Sequence, residues 1–165
     1  MLLKDKKAVI TGCNRGIGFA LLEVFSKHGA QIIACIRKDD QDFKKKVKEI
    51  SQKNNNKIEI VYFDLEKENE IEKGFQQIKT IFPKIDILIN NAGINQISLF
   101  QMTTLKTIKR VFEINFFAVV SFTQKILKIL SKNTNSKIIN ISSNAAELCS
   151  PGRSGYSPSK AALIA

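Results

Sequence analysis

The feature that most constrains this chain is an alternation of short apolar runs with longer amphipathic ones. Lys7-Ala8-Val9-Ile10 reads as a buried strand. A glycine-rich turn separates it from a helix over residues 17–28, which Gly29 closes. Residues 31–36, rich in β-branched side chains, give a second strand, and a Lys-rich polar helix follows, ending in Asn54-Asn55-Asn56. Ile58-Glu59-Ile60-Val61-Tyr62-Phe63 gives the third strand, and residues 66–82 a helix that Pro83 ends. A strand over 85–89, a long helix over 104–130, a strand over 137–142 and a helix over 156–165 complete the pattern. Such alternation builds a parallel sheet covered on both faces. The expected class is therefore α/β, a doubly wound parallel sheet. With right-handed crossovers and a reversal after the third strand, its order is 3-2-1-4-5.

Size and charge narrow the function. The 165 residues, 44% of them hydrophobic, suit one domain spanning the chain, and a 25% charged fraction argues against disorder. No apolar run reaches the ~18 residues of a membrane span. The opening Met1-Leu2-Leu3-Lys4-Asp5-Lys6-Lys7 lacks the apolar centre of a signal peptide, so a cytoplasmic location without a membrane partner is expected. The net charge of +11 comes from 26 basic and 15 acidic residues. Only Arg15, Arg37, Arg110 and Arg153 are arginines, and the lysines are dispersed. Nucleic-acid sites favour Arg forks and aromatic platforms on one surface, so no nucleic-acid partner is expected. Cys13, Cys35 and Cys149 lack metal-ligand spacing and read as reduced thiols, with no metal site.

The first strand runs into Thr11-Gly12-Cys13-Asn14-Arg15-Gly16-Ile17-Gly18. Glycines at a strand-to-helix junction permit a tight turn and let backbone N–H groups at the helix start approach a pyrophosphate. The spacing, Gly-x3-Gly-x-Gly, departs from the common dinucleotide fingerprint Gly-x-Gly-x-x-Gly. A carboxylate ending the second strand would bind the ribose hydroxyls of NAD. Ile36 stands there instead, followed by Arg37 and Lys38, and with Arg15 these supply positive charge for the 2′-phosphate of NADP. This favours NADP(H) over NAD(H). The competing reading leaves Arg37 and Lys38 solvated and partly offset by Asp39 and Asp40.

Three signals follow downstream. Asn90-Asn91-Ala92-Gly93 ends the fourth strand at the sheet edge where doubly wound folds bind ligands. Asn115 stands in an otherwise apolar helix, as a structural hydrogen-bonding group or as part of a water relay. Ser142-Ser143 ends the fifth strand, and Tyr156-Ser157-Pro158-Ser159-Lys160 opens the last helix. Tyr156 and Lys160, four apart, share a helix face. An ammonium near a phenol favours the phenolate, which suits Tyr156 to general acid–base work. Acting as acid toward a carbonyl or base toward an alcohol, Tyr156 would meet an oxygen that the Ser143 hydroxyl could also hydrogen-bond.

Taken together these segments are similar to the short-chain dehydrogenase/reductase family, and in pattern to its 3-oxoacyl-acyl-carrier-protein reductases. Thr11-Gly12 through Gly18 resembles the family's TGxxxGIG turn, Asn90 to Gly93 its NNAG motif, and Tyr156 to Lys160 its YxxxK motif. The resemblance covers nearly the whole chain and implies a Rossmann-type fold. It also implies hydride transfer between NADPH and a carbonyl, or the reverse from a secondary alcohol. By position it implies a catalytic set of Asn115, Ser143, Tyr156 and Lys160. Tyr156 would be the acid/base. Lys160 would lower its pKa and hold the nicotinamide ribose, Ser143 would position the substrate oxygen, and Asn115 would anchor a relay water. Cofactor contacts would come from Gly12, Cys13, Asn14, Arg15, Gly16, Ile17 and Gly18, and from Arg37. Asp64 and Leu65 would lie at the adenine, with Asn91, Ala92 and Gly93 beyond and Tyr156 and Lys160 at the far end. The substrate class is a small carbonyl or alcohol, carrier-bound acyl groups included.

Val111, Phe112, Phe116, Val119, Val120 and Ile126 exceed one core-facing stripe, which with the resemblance gives an expected homodimer or homotetramer. Relatives commonly run to about 250 residues, within the usual single-domain range. The chain is therefore expected to lack the family's last strands, leaving the fifth strand as an exposed apolar edge and the site half walled. The alternative to an enzyme is a nucleotide-binding or interaction protein without turnover.

Overall fold

The computed structural model describes residues 1–130, 136–148 and 151–165. Five strands, β1 (Lys7–Thr11), β2 (Gln31–Ile36), β3 (Ile58–Tyr62), β4 (Ile87–Asn90) and β5 (Lys137–Asn140), pair in parallel. Their order is β3-β2-β1-β4-β5, the order that the alternation predicts. The helices are α1 (Gly16–Lys27), α2 (Gln41–Asn54), α3 (Glu68–Ile81), α4 (Leu105–Phe112), α5 (Ala118–Ile126) and α6 (Tyr156–Ala161). Cys149 lies outside the described residues.

The near-continuous apolar strands are split by their two-residue period between two cores. Ala8, Ile10, Ile32, Ala34, Ile87 and Ile89 face Leu22 of α1 and Phe43 and Val47 of α2. Val9, Ile33, Val61 and Leu88 face the other way, onto Ile71, Phe75 and Ile78 of α3 and Phe122 and Ile126 of α5. In register, Val9 sits between Ile33 and Leu88, so β1 is the centre of the sheet. Asp40 caps α2 by accepting from Phe43 N (3.0 Å), and Asn55, at φ 49°, ends it in the left-handed region. Thr104 caps α4 through Thr107 N (3.1 Å).

The structure corrects the expected helix over 104–130 in two ways. It is broken by a π-helical turn over Glu113–Phe117, and it ends at Ile126. The inserted residue of a π turn swings one side chain inward, here Asn115, which is fully buried. Beyond Ile126 the backbone serves the sheet instead: Ile129 O accepts from Ile85 N (3.0 Å), and Leu130 bridges Ile85. That pairing places Ile85 outside β4, which starts at Ile87.

The apolar excess on this run also divides differently. Val111, Val119 and Ile126 are core, while Phe112 and Phe116 are half-buried. The outward apolar residues are Phe117, Val120 and Leu127, 53%, 39% and 51% exposed. At the sheet edge, Ile138 and Ile139 of β5 are 38% and 40% exposed.

Phe122 is the pivot of the α3/α5 core, fully buried with its ring centroid 5.3 Å from that of Phe63. Phe122→Ala should lower unfolding stability by about 3–5 kcal/mol in urea titrations. A loss below about 1 kcal/mol would contradict this packing.

Candidate active site

The carboxyl ends of β1, β2, β3 and β4 open onto a cavity of about 700 Å³. It is lined by the glycine turn, by Ile36-Arg37-Lys38-Asp39-Asp40, by Phe63-Asp64-Leu65 and by Asn91-Ala92-Gly93-Ile94. It lies at the switch point between β1 and β4, where the strand order reverses.

The turn is built for close approach. Gly12 has φ +71°, and a Cβ there would lie 2.9 Å from Ala92 Cα. A Cβ on Gly18 would overlap the Gly12 carbonyl and the Asn91 amide, so only glycine lets α1 begin against β1. Thr11 Oγ1 accepts from Asn91 N (3.1 Å) and Ala92 N (3.0 Å), and Asn91 Nδ2 donates to Thr11 O (2.9 Å) and Gly12 O (3.0 Å). These four bonds lock the ends of β1 and β4 together. α1 itself starts with no side-chain cap and no acidic residue in its first turn, so its leading N–H groups face the cavity without a side-chain acceptor.

Most predicted cofactor contacts line this cavity: Gly12, Asn14, Arg15, Gly16, Ile17, Gly18, Arg37, Asp64, Leu65, Asn91, Ala92 and Gly93. Cys13 does not. Its side chain turns into the α1/α2 core, where Sγ–H donates to Ile10 O (2.9 Å). Cys13 and Cys35 are both free and buried, and burial pushes both thiols up. Among the described residues no three His, Cys, Asp or Glu cluster as a metal site, and no helix is long and apolar enough to cross a membrane.

Past Gly93 the four predicted catalytic side chains gather less evenly. A Cβ on Gly93 would stand 3.1 Å from Asn115 Oδ1 and 3.5 Å from Lys160 Nζ, so these two groups meet at the cavity's end. Asn115 Oδ1 accepts from Ile94 N (2.8 Å), and its Nδ2 donates to Ile94 O (2.9 Å) and Ser159 Oγ (3.0 Å). The side chain thus ties the loop after β4 to α6. Lys160 is only 4% exposed and donates to Ile141 O (2.7 Å), and burial lowers its pKa. Tyr156 is half-buried, with the Arg153 guanidinium 5.7 Å from its ring centroid, and no hydrogen bond joins it to Lys160 or Ser143. Ser143 Oγ accepts from Ala145 N (3.2 Å), capping a short 3₁₀ turn.

Sequence reasoning missed Thr11 and Gln96. Gln96 is buried, with Nε2 donating to Ser98 Oγ (2.9 Å), Thr103 Oγ1 (3.2 Å) and Gly152 O (3.2 Å). Its Oε1 accepts from Gly155 N (3.0 Å), the residue before Tyr156, so Gln96 fixes the approach to α6. A lone Gln in a polar loop carries no pattern that announces such a hub. Thr11 sits inside the quoted motif, but only the tertiary position of Asn91 gives its hydroxyl a task.

Comparison with known proteins agrees with the geometry. The family model described as short chain dehydrogenase matches residues 6–165, and the chain belongs to that family of oxidoreductases. It is 29% identical over 164 residues to a 3-oxoacyl-acyl-carrier-protein reductase of Chlamydia muridarum, covering 99% of this chain and 65% of that protein. It is 31% identical to an NAD-dependent glycerol dehydrogenase of Listeria innocua, covering 98% of this chain and 62% of that one. A short chain dehydrogenase of Burkholderia cenocepacia solved in complex with NADP superposes with a TM-score of 0.91 at 27% identity, over 99% of this chain and 66% of that one. The chain thus spans about two thirds of the length of such relatives.

Burial of Lys160 has a pH signature. Its folded pKa lies below the usual 10.5 of lysine. Between the two values the unfolded chain holds a proton that the folded chain has lost, so stability rises with pH across that window. Against Lys160→Met, which cannot titrate, wild-type unfolding free energy should therefore gain as pH climbs toward 10.5. A constant difference would refute the burial account.

Proposed function

We propose that the protein is an NADP(H)-dependent oxidoreductase that reduces a ketone, or oxidises the corresponding secondary alcohol. The observation that carries the cofactor half is the cavity over the uncapped start of α1, with Arg15, Arg37 and Lys38 around its rim. Its residues fit a dinucleotide: free N–H groups and glycines for the pyrophosphate, and cations for a 2′-phosphate. The family relatives include both an NAD-dependent enzyme and an NADP complex, so the charges of this rim argue the choice.

The bound dinucleotide would supply or take up the hydride. The chain's own residues would do the rest. Tyr156 carries a phenol whose O–H has no protein acceptor among the described residues, leaving it to donate to a carbonyl oxygen or to take a proton from an alcohol. Lys160, held by Ile141 O at the Gly93 end, would place its ammonium beside the cofactor ribose and favour the phenolate. Ser143 would turn its hydroxyl to the same substrate oxygen. Asn115 has both amide hydrogens committed, so a relay water would sit on the spare acceptor capacity of Oδ1.

The substrate would be a small carbonyl or alcohol, carrier-bound acyl groups included, and the place of action the cytoplasm. The outward stripe of Phe117, Val120 and Leu127 on the α5 run would pack on its counterpart in a second copy, giving a homodimer or homotetramer. NADPH oxidation followed against a panel of ketones tests the reading. Tyr156→Phe should lower turnover by about 10²- to 10⁴-fold while NADP binding persists. Cofactor binding with no turnover by the wild type would instead favour a protein without catalysis.

A further inference from the structure

The rim of the cavity holds cations and carboxylates side by side. Among the described residues, Arg15, Arg37 and Lys38 form no ion pair, whereas the carboxylates beside them are occupied. Asp40 is spent on the cap of α2, and Asp64 Oδ1 accepts from Glu66 N (3.0 Å). Glu66 is gripped by Arg110 through Nε (2.7 Å) and Nη2 (3.0 Å). Asp39 is the most heavily held. Lys44 Nζ lies 2.7 Å from its Oδ1 and 2.9 Å from its Oδ2, Gln41 Nε2 donates to Oδ2 (3.0 Å), and Tyr62 O–H to Oδ1 (3.3 Å). Lys44 also lies 5.8 Å from the centroid of the Tyr62 ring. Neither Lys44 nor Tyr62 lines the cavity.

We propose that Lys44 and Tyr62 are positioning residues for cofactor choice: from outside the cavity they hold the Asp39 carboxylate away from the cations that would receive a 2′-phosphate. The inference rests on the NADP(H) reading above. Asp39 is only two residues beyond Arg37, on the loop that leaves β2. Released, its carboxylate would pair with Arg37 or Lys38 and repel a phosphate dianion. It would also offer the ribose hydroxyls the acceptor that an NAD site uses at this place. One loop can therefore carry two acids beside its cations and still present net positive charge. The grip comes from Lys44 on α2, which packs on the sheet through Phe43 and Val47, and from Tyr62 at the end of β3, so it is in place before any cofactor arrives.

The test is a double-mutant cycle read by calorimetric titration of the whole chain with NADP⁺ and with NAD⁺ at one ionic strength. Lys44→Gln and Tyr62→Phe should each lower the ratio of NADP⁺ to NAD⁺ affinity, by roughly two- to fivefold for an exposed pair. Lys44→Arg should restore the ratio. Asp39→Asn should leave NADP⁺ affinity within about twofold of wild type, its charge being already neutralised. In the Asp39→Asn background, Lys44→Gln should then have no further effect. A Lys44→Gln loss that persists in that background, or that strikes both cofactors equally, would overturn the proposal while leaving the NADP(H) reading intact. A wild type that prefers NAD⁺ would overturn both.

Discussion

The joint between the ends of β1 and β4 is the constraint on which the site depends. Two parallel strands leave the sheet in opposite directions there, and a gap opens between their loops. The Thr11 hydroxyl and the Asn91 amide close its floor with four hydrogen bonds, which consume the polar groups nearest the core. What is left facing outward is the backbone of the glycine turn and the uncapped start of α1. The cavity proposed for a dinucleotide is therefore bounded by the same bonds that satisfy the strand ends. Leaving these part-buried groups unpaired would cost up to about 1–3 kcal/mol each.

The α6 side of the cavity is held by a second set of ties. Asn115, swung inward by the π turn, joins Ile94 to Ser159, and Gln96 joins the same loop to Gly152 and Gly155. Both amides thus connect the loop after β4 to the start of α6, which carries Tyr156 and Lys160. Lys160 is in turn fixed by Ile141 O at the end of β5. Position at this end is set mainly by amide hydrogen bonds, with Lys160 held by a backbone carbonyl, while the rim at the other end is governed by paired charges.

The sheet order and the cavity's main lining were legible because they follow from local rules: a two-residue period in the strands, and glycines after the first of them. The uses of individual polar groups were not. Glu66 finds Arg110 across 44 positions and Asp39 finds Tyr62 across 23, and no spacing rule reaches that far. The turn motif placed Cys13 among the cofactor contacts, but its thiol found an acceptor in Ile10 O on the core side. The helix over 104–130 read as continuous because hydrophobic periodicity does not register one extra residue in a turn. Asn115 was the visible trace of it, an amide with no reason to be in an apolar helix until Ile94 is brought beside it.

The central claim is that the strand-end joint preorganises the cavity proposed to receive a dinucleotide. Calorimetric titration of Asn91→Ala, set against its unfolding transition, tests it most directly. The account predicts a still-folded protein whose affinities for NADP⁺ and NAD⁺ fall together, by about tenfold for the loss of one part-buried two-acceptor tie. Unchanged affinity for both cofactors in a folded variant would contradict it.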